Sequence, residues 1–348
     1  MQKRRVFCSL FKKSIQKPTE KELYMTEGTR NTPPLSSFSP RTDLADECLE
    51  ITFRGKKPDL DGIISEEGKI DDIGFHILEI TSDEGAIKLG KPKGKYVTLD
   101  IGSLPLFTRE RLEKTADTCA GILTELLPKN AKSCLLACLG NRKITADSQG
   151  PLCAEHFIVS RHIKDSNPRL FSQLELFETS CIVPNVLGST GIEAAQIVKG
   201  TAECTMPSFV IAVDSLCARR TARVGTTIQM SNVGIAPGSG IGNHRAALNA
   251  DSVGVPVISI GIPTVVDAVT VGADILEECF AKAENDSIPQ NLKGAVLKSV
   301  LEKSTYGYFV TPKNADAVSA SAARLIAMTV NKALNPNLTY AEMEELKP

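Results

Sequence analysis

The stretch SFVIAVDSL at 208–216 decides the fold: five apolar residues run together without alternation, and an aspartate follows directly. A continuous apolar run of this length is what a strand buried on both faces presents. Working outward, SCLLACLG (133–140), LFETSCIV (176–183), TTIQM (226–230) and VPVISIGIP (255–263) read as further strands. IGFHILEIT (73–81) and KYVTLDI (95–101) read as strands before them. Helical patterns lie between and around these runs. FTRERLEKTADTCAGILTELL (107–127) puts Ile122, Leu123, Leu126 and Leu127 on one face, and GPLCAEHFIVSRHI (150–163), GIEAAQIVKGTAE (191–203), VVDAVTVGADILEECFAKA (265–283) and DAVSASAARLIAMTVNKAL (316–334) follow. Short apolar strands alternating with helices predict an α/β fold, a mostly parallel sheet covered on both faces.

The chain has 348 residues, more than the roughly 250–300 over which a single core keeps growing, so one large domain with appendages or two domains is expected. Forty basic against 41 acidic residues leave a net charge of -1, which provides no global basic field for sequence-independent nucleic-acid binding. No apolar run approaches the ~20 residues needed to span a bilayer. The ten cysteines contain no C-x-x-C pair, and several sit in apolar runs where a thiol acts as a small buried hydrophobe, so a reducing cytosol is expected. The basic start MQKRRVFCSLFKK lacks the apolar core of a signal peptide. Residues 1–40, ending in NTPPLSSFSP, offer little to offset the entropy of ordering and read either as a disordered tail or as a removable pro-segment. The expected division is a flexible extension and pro-segment at 1–43 and a single α/β domain at 44–348.

In parallel sheets ligands bind beyond the carboxyl ends of strands. Three such ends are unusual here. LGNRKITADSQGP (139–151) brings Asn141, Thr145 and Asp147 into a polar loop before a helix, where Asp147 or Ser148 could equally be a helix cap. Asp214 follows its apolar run, where low-dielectric surroundings raise a carboxyl pKa; a turn or cap role is the alternative. The glycine-rich SNVGIAPGSGIGNHR (231–245) does not match G-x-G-x-x-G; its glycines are structural, or offer backbone N–H groups to a peptide or an oxyanion, with Gly238, Gly240, Asn243 and His244 as substrate-loop candidates. No G-x-S-x-G or H-E-x-x-H occurs, and His156 and His162, six residues apart, do not form a metal pair. What remains is an aspartate pair, Asp147 and Asp214, sharing a proton so that one activates water and the other protonates the scissile amide. No cofactor is called for. A zinc site built on the two carboxylates, with His244 as the third ligand, would be sparse.

In these motifs the chain resembles the germination protease family, endopeptidases of spore-forming bacteria that degrade small acid-soluble spore proteins. The resemblance is carried by RTDLA (41–45), GKPKGKYVTLDI (90–101), LGN (139–141), TADSQGP (145–151), VLGSTGIEA (186–194), VIAVDSLCAR (210–219), GIAPGSGIGNHR (234–245) and VPVISIGIPTVVDAVT (255–270). It implies a three-layer α/β/α fold similar to that of hydrogenase-maturation endopeptidases, and an atypical aspartic protease whose two essential aspartates fall at Asp147 and Asp214. The family loop usually reads T-P-D-A-L-G-P, and here Ala146, Ser148 and Gln149 depart from it. The resemblance further implies a homotetramer in the forespore and spore core, made as a zymogen, with spore proteins as substrate; charge and apolar patterning call for no direct nucleic-acid or membrane partner. Thr42-Asp43-Leu44-Ala45-Asp46-Glu47 is similar to the T-E-[FI]-A-S-E stretch cut in those substrates, so self-processing is expected between Asp43 and Leu44, at an exposed junction. The rival readings are a metal-dependent maturation peptidase on the same fold, or a binding protein retaining that fold.

Overall fold

The computed structural model describes residues 41–53, 58, 61–238, 245–282 and 307–347. Its main elements, in chain order, are α1 (Ala45–Phe53), β1 (Ile63–Ile70), β2 (Ile73–Ile80), α2 (Asp83–Leu89), β3 (Gly94–Asp100), α3 (Arg109–Leu126), β4 (Ser133–Cys138), α4 (Gln149–Ala154), β5 (Glu178–Ile182), α5 (Ala194–Thr205), β6 (Phe209–Ala218), β7 (Thr227–Ser231), β8 (Val257–Asp267), α6 (Ala268–Lys282), β9 (Phe309–Val310) and α7 (Ala315–Leu334). They build one sheet in the order β1-β2-β3-β7-β8-β6-β4-β5, with β9 on β8. The four strands β8, β6, β4 and β5 are parallel neighbours, while β1, β2, β3 and β7 continue the sheet by antiparallel pairing. Most strands run one way, with β2, β7 and β9 against them.

Alternation along the strands assigns side chains to two helical layers. Cys134, Leu136 and Cys138 of β4, Ile211 and Val213 of β6, and Ile258 and Ile260 of β8 point into the core made with α3 and α7. Leu135, Ala137, Val210 and Ala212 point the other way, against Ala195, Val198 and Ala202 of α5. The expected three-layer α/β/α arrangement is the one observed. Helix α3 begins where the sequence pattern starts, because the Thr108 hydroxyl accepts a hydrogen bond from Arg111 N–H at 3.2 Å.

Two segments depart from expectation. The helix predicted over 150–163 stops at Ala154, and His156 and His162 do not share an element. Beyond the break the backbone finds tertiary partners: Asn331 accepts from Ile158 N–H at 3.0 Å and donates to the His156 carbonyl at 2.9 Å. Strand β8 runs on to Asp267, so α6 starts three residues later than the pattern of apolar residues suggests.

Candidate active site

Strand β4 pairs with β6 only as far as Cys138 opposite Val213, and Leu139 N–H then donates to the Val213 carbonyl at 2.8 Å. There the chain leaves the sheet through Gly140, whose φ of 113° and close approach admit no side chain: a Cβ would lie 2.2 Å from the Asp147 carbonyl oxygen. The turn that follows is pinned on several sides. Asn141 N–H donates to the Asp147 carbonyl at 2.8 Å, the Thr264 hydroxyl to Ala146 O at 2.6 Å and the Ser319 hydroxyl to Thr145 O at 2.9 Å. Gln149 exchanges two hydrogen bonds with the Ile262 backbone, at 3.0 and 3.2 Å. Asp147 is therefore held on a rigid loop; Ser148, the residue at the start of α4, makes no side-chain cap.

Asp214 lies inside β6 rather than at its end, one residue beyond the last β4 pair, and is 5% exposed. Beta strand β6 continues because β8 still pairs with it, so the aspartate meets an open edge on one side and a strand on the other. Its pKa is raised well above the ordinary 3.8, first by burial, then by the negative charge of Asp147 and then by that of Asp43; a hydrogen bond from Ser215 N–H opposes them. Burial also raises Asp147, to about 6, against the Asn141 N–H and the Arg245 charge. Two carboxyls that influence one another and titrate differently can divide acid and base roles between them.

Asp43 and Leu44 are not at an exposed junction. Leu44 is fully buried against Leu216, Ala218 and Val266. Asp43 takes the edge of β6 that β4 has left: its N–H donates to the Cys217 carbonyl at 2.8 Å and its carboxylate accepts from Cys217 N–H at 2.9 Å. Its carbonyl oxygen accepts from Lys91 Nζ at 2.9 Å and Gln229 Nε2 at 3.1 Å. Four residues on, the buried Glu47 carboxylate accepts from the backbone N–H groups of Arg219 and Arg220, at 2.6 and 3.2 Å, and from the Thr42 hydroxyl. Asp46 pairs with Arg223. The Pro- and Ser-rich stretch just before it suggests an exposed boundary, but its carboxylates are buried because backbone donors and an arginine meet them.

Lys91 and Gln229 were not singled out by their sequence. A signal existed for Gln229: in TTIQMS and VISIGIP apolar residues alternate with Gln229, Ser231, Ser259 and Gly261, a polar or small row on one face of a buried sheet. Of the other candidates, Asn141 touches Asp147 and the rest lie in a turn or outside the described residues. Asn141 holds the Asp147 loop by its backbone and accepts from Lys143 N–H by its side chain; Gly238 lies in a turn, and Gly240, Asn243 and His244 are outside the described residues. Among the described residues no three His, Cys, Asp or Glu side chains are grouped to hold a metal ion, and no helix is long and apolar enough to cross a membrane.

A family profile described as "Germination protease" matches residues 43–287. The chain belongs to the germination protease family. Relatives in that family include the germination protease of Clostridium perfringens, 36% identical over 88% of this chain and 99% of its own. That of Caldanaerobacter subterraneus subsp. tengcongensis is 37% identical over 88% of this chain and 97% of its own. Among solved structures, the [NiFe] hydrogenase maturation protease HycI from Thermococcus kodakarensis aligns with 61% of this chain and 98% of its own, at 13% identity and a TM-score of 0.33, too distant to bear on function. Membership makes the protein a peptidase of the germination protease type, and the matched region starts at Asp43.

Proposed function

We propose that this germination protease is an aspartic endopeptidase of small acid-soluble spore proteins, acting in the forespore and spore core through Asp147 and Asp214. The observation that carries the reading is the placement of Asp147, on its pinned loop, where its charge acts on the buried Asp214. In this reading Asp147, with its pKa at about 6, is ionised near neutral pH and is the base, and Asp214, whose carboxyl is raised by burial and by the Asp147 charge, is the acid. Asp147 takes a proton from water as that water attacks the scissile carbonyl, and Asp214 protonates the departing nitrogen. The protein is made as a zymogen, with 1–43 as the pro-segment and 44–348 as the protease domain, and the Asp43–Leu44 bond is its own first substrate. Support for this comes from Asp43, which bonds the β6 backbone at Cys217, three residues beyond Asp214, and whose charge acts on Asp214. The resemblance extends the reading to a homotetramer.

The test is intact-mass analysis of the full chain, and of an added small acid-soluble spore protein, for the parent, Asp147→Asn and Asp214→Asn. A new amino terminus at Leu44 and fragments of the spore protein are expected with the parent and with neither variant. Parent-rate cleavage by either variant sinks the aspartate reading.

A further inference from the structure

Gln229, Gly261 and Asp214 occupy one row across three neighbouring strands: Gln229 of β7 is opposite Gly261 of β8, and Gly261 is opposite Asp214 of β6. Directly paired residues share a face, and two strand spacings put the backbones of Gln229 and Asp214 about 10 Å apart. The residue between them has no side chain. A Cβ at Gly261 would come 2.4 Å from the Asp214 carbonyl oxygen and 2.8 Å from Leu216 Cγ, so only glycine lets β8 approach Asp214 this closely. A cavity of about 150 Å³ occupies this region, lined among others by Asp43, Lys91, Gln229, Ser259 and Gly261. It is large enough to hold several waters beside the Asp43 carbonyl.

Gln229 grips the backbone on both sides of Leu44. Its Nε2 donates to the Asp43 carbonyl at 3.1 Å and its Oε1 accepts from Ala45 N–H at 2.6 Å. That pattern fixes the amide orientation, since the flipped form would set oxygen against oxygen and N–H against N–H. Lys91 arrives from the opposite wall. Gly90 closes α2 in the left-handed region at φ 64°, Lys91 N–H returns to the Ala86 carbonyl at 3.2 Å, and Tyr96 Oη donates to the Pro92 carbonyl at 2.8 Å. The sequence Gly-Lys-Pro thus turns the chain so that Nζ reaches the same oxygen at 2.9 Å. The Asp43 carbonyl oxygen therefore receives a cation and a fixed amide donor at once, in the bond proposed as the processing site.

We propose that Lys91 and Gln229 form the oxyanion site of this protease, the pair of donors that hold the scissile carbonyl oxygen as it gains negative charge. The proposal rests on the processing of Asp43–Leu44. Water oxygen bonds to the Asp43 carbonyl carbon and loses a proton to the ionised carboxylate; the carbonyl π pair moves onto oxygen, where Lys91 and Gln229 meet it. The pair then re-forms the carbonyl as the C–N bond breaks, and the Leu44 nitrogen takes its proton from the protonated carboxyl. Water is the only co-reactant. The same two donors serve a spore protein lying in the place of residues 42–47, because they contact backbone only.

The experiment follows the first-order appearance of the Leu44 terminus in the full chain for the parent, Lys91→Met, Lys91→Arg and Asp214→Asn, with amide hydrogen exchange at Ala45 recorded for each before cleavage. Loss of one oxyanion donor lowers such rates by about 10² to 10³-fold. Lys91→Met is expected to slow cleavage by that factor with Ala45 protection unchanged, and Lys91→Arg to recover part of the rate. Parent-rate cleavage by Lys91→Met overturns the oxyanion site, and so does slow cleavage accompanied by lost Ala45 protection, which would make Lys91 a tether. Cleavage by Asp214→Asn instead overturns the aspartate reading and leaves the Lys91 comparison standing. A parent chain that never opens this bond overturns the oxyanion site with the processing it rests on, while Asp147 and Asp214 are still judged on added spore protein.

Discussion

Replacing Asp147 by asparagine should make the folded protein more stable at neutral pH while removing its activity. Burial carries the Asp147 pKa from 3.8 to about 6. A carboxyl whose folded pKa is raised favours the folded state fully below its unfolded value, and that contribution is lost as pH rises through the folded one. At about 1.36 kcal/mol per pKa unit, the ionised group costs the folded chain about 3 kcal/mol above pH 6, and its partial contact with water trims this toward about 2 kcal/mol. Asparagine has the same shape and nothing to ionise. In urea titrations of parent and Asp147→Asn at pH 4, 5, 6 and 8, the variant should gain about 2–3 kcal/mol relative to the parent between pH 4 and pH 8, most of it by pH 7. A difference that is constant across this range, or one that turns against the variant with rising pH, would refute burial as the cause of the shift and with it the assignment of Asp147 as the base.

Two further outcomes follow from the site. Gly261→Ala should lower the urea midpoint and abolish cleavage, since its methyl would sit 2.4 Å from the Asp214 carbonyl oxygen; overpacking of this kind typically costs about 1–3 kcal/mol, and a variant with parent stability and rate would refute the close approach of β8 to Asp214. Exhaustive chelation followed by dialysis should leave spore-protein cleavage unchanged, and activity lost on chelation and restored by one added metal ion per chain would favour a metallopeptidase.

The strands that place the two aspartates were legible because each is a continuous apolar run ending near a polar residue, and runs of that kind report burial on both faces directly. Position within the strand was not: Asp214 looks terminal from β6 alone, and only the length of its neighbour β8 shows that the strand continues. IISEEGKI of β1 escaped notice because it lies at the sheet edge, with Ile64 and the two glutamates outside the core. Residues 42–47 were misjudged as exposed for a different reason. Burial of Asp46 and Glu47 depends on Arg219, Arg220 and Arg223, more than 170 positions away along the chain, and local polarity carries no trace of such partners. Lys91 likewise gains its meaning from one carbonyl 48 positions earlier.

The two glycines that shape the site, Gly140 and Gly261, bear on how a mutational scan of this enzyme would read. Neither carries a reactive atom, yet a Cβ on Gly140 would strike the backbone of the Asp147 loop and one on Gly261 the backbone beside the other aspartate. In such a scan both would score as intolerant as the carboxylates themselves. Position-by-position sensitivity would therefore outline a volume, not a set of chemical groups, and the aspartates would stand out only through substitutions of equal size, aspartate to asparagine, where shape is kept and charge alone is removed.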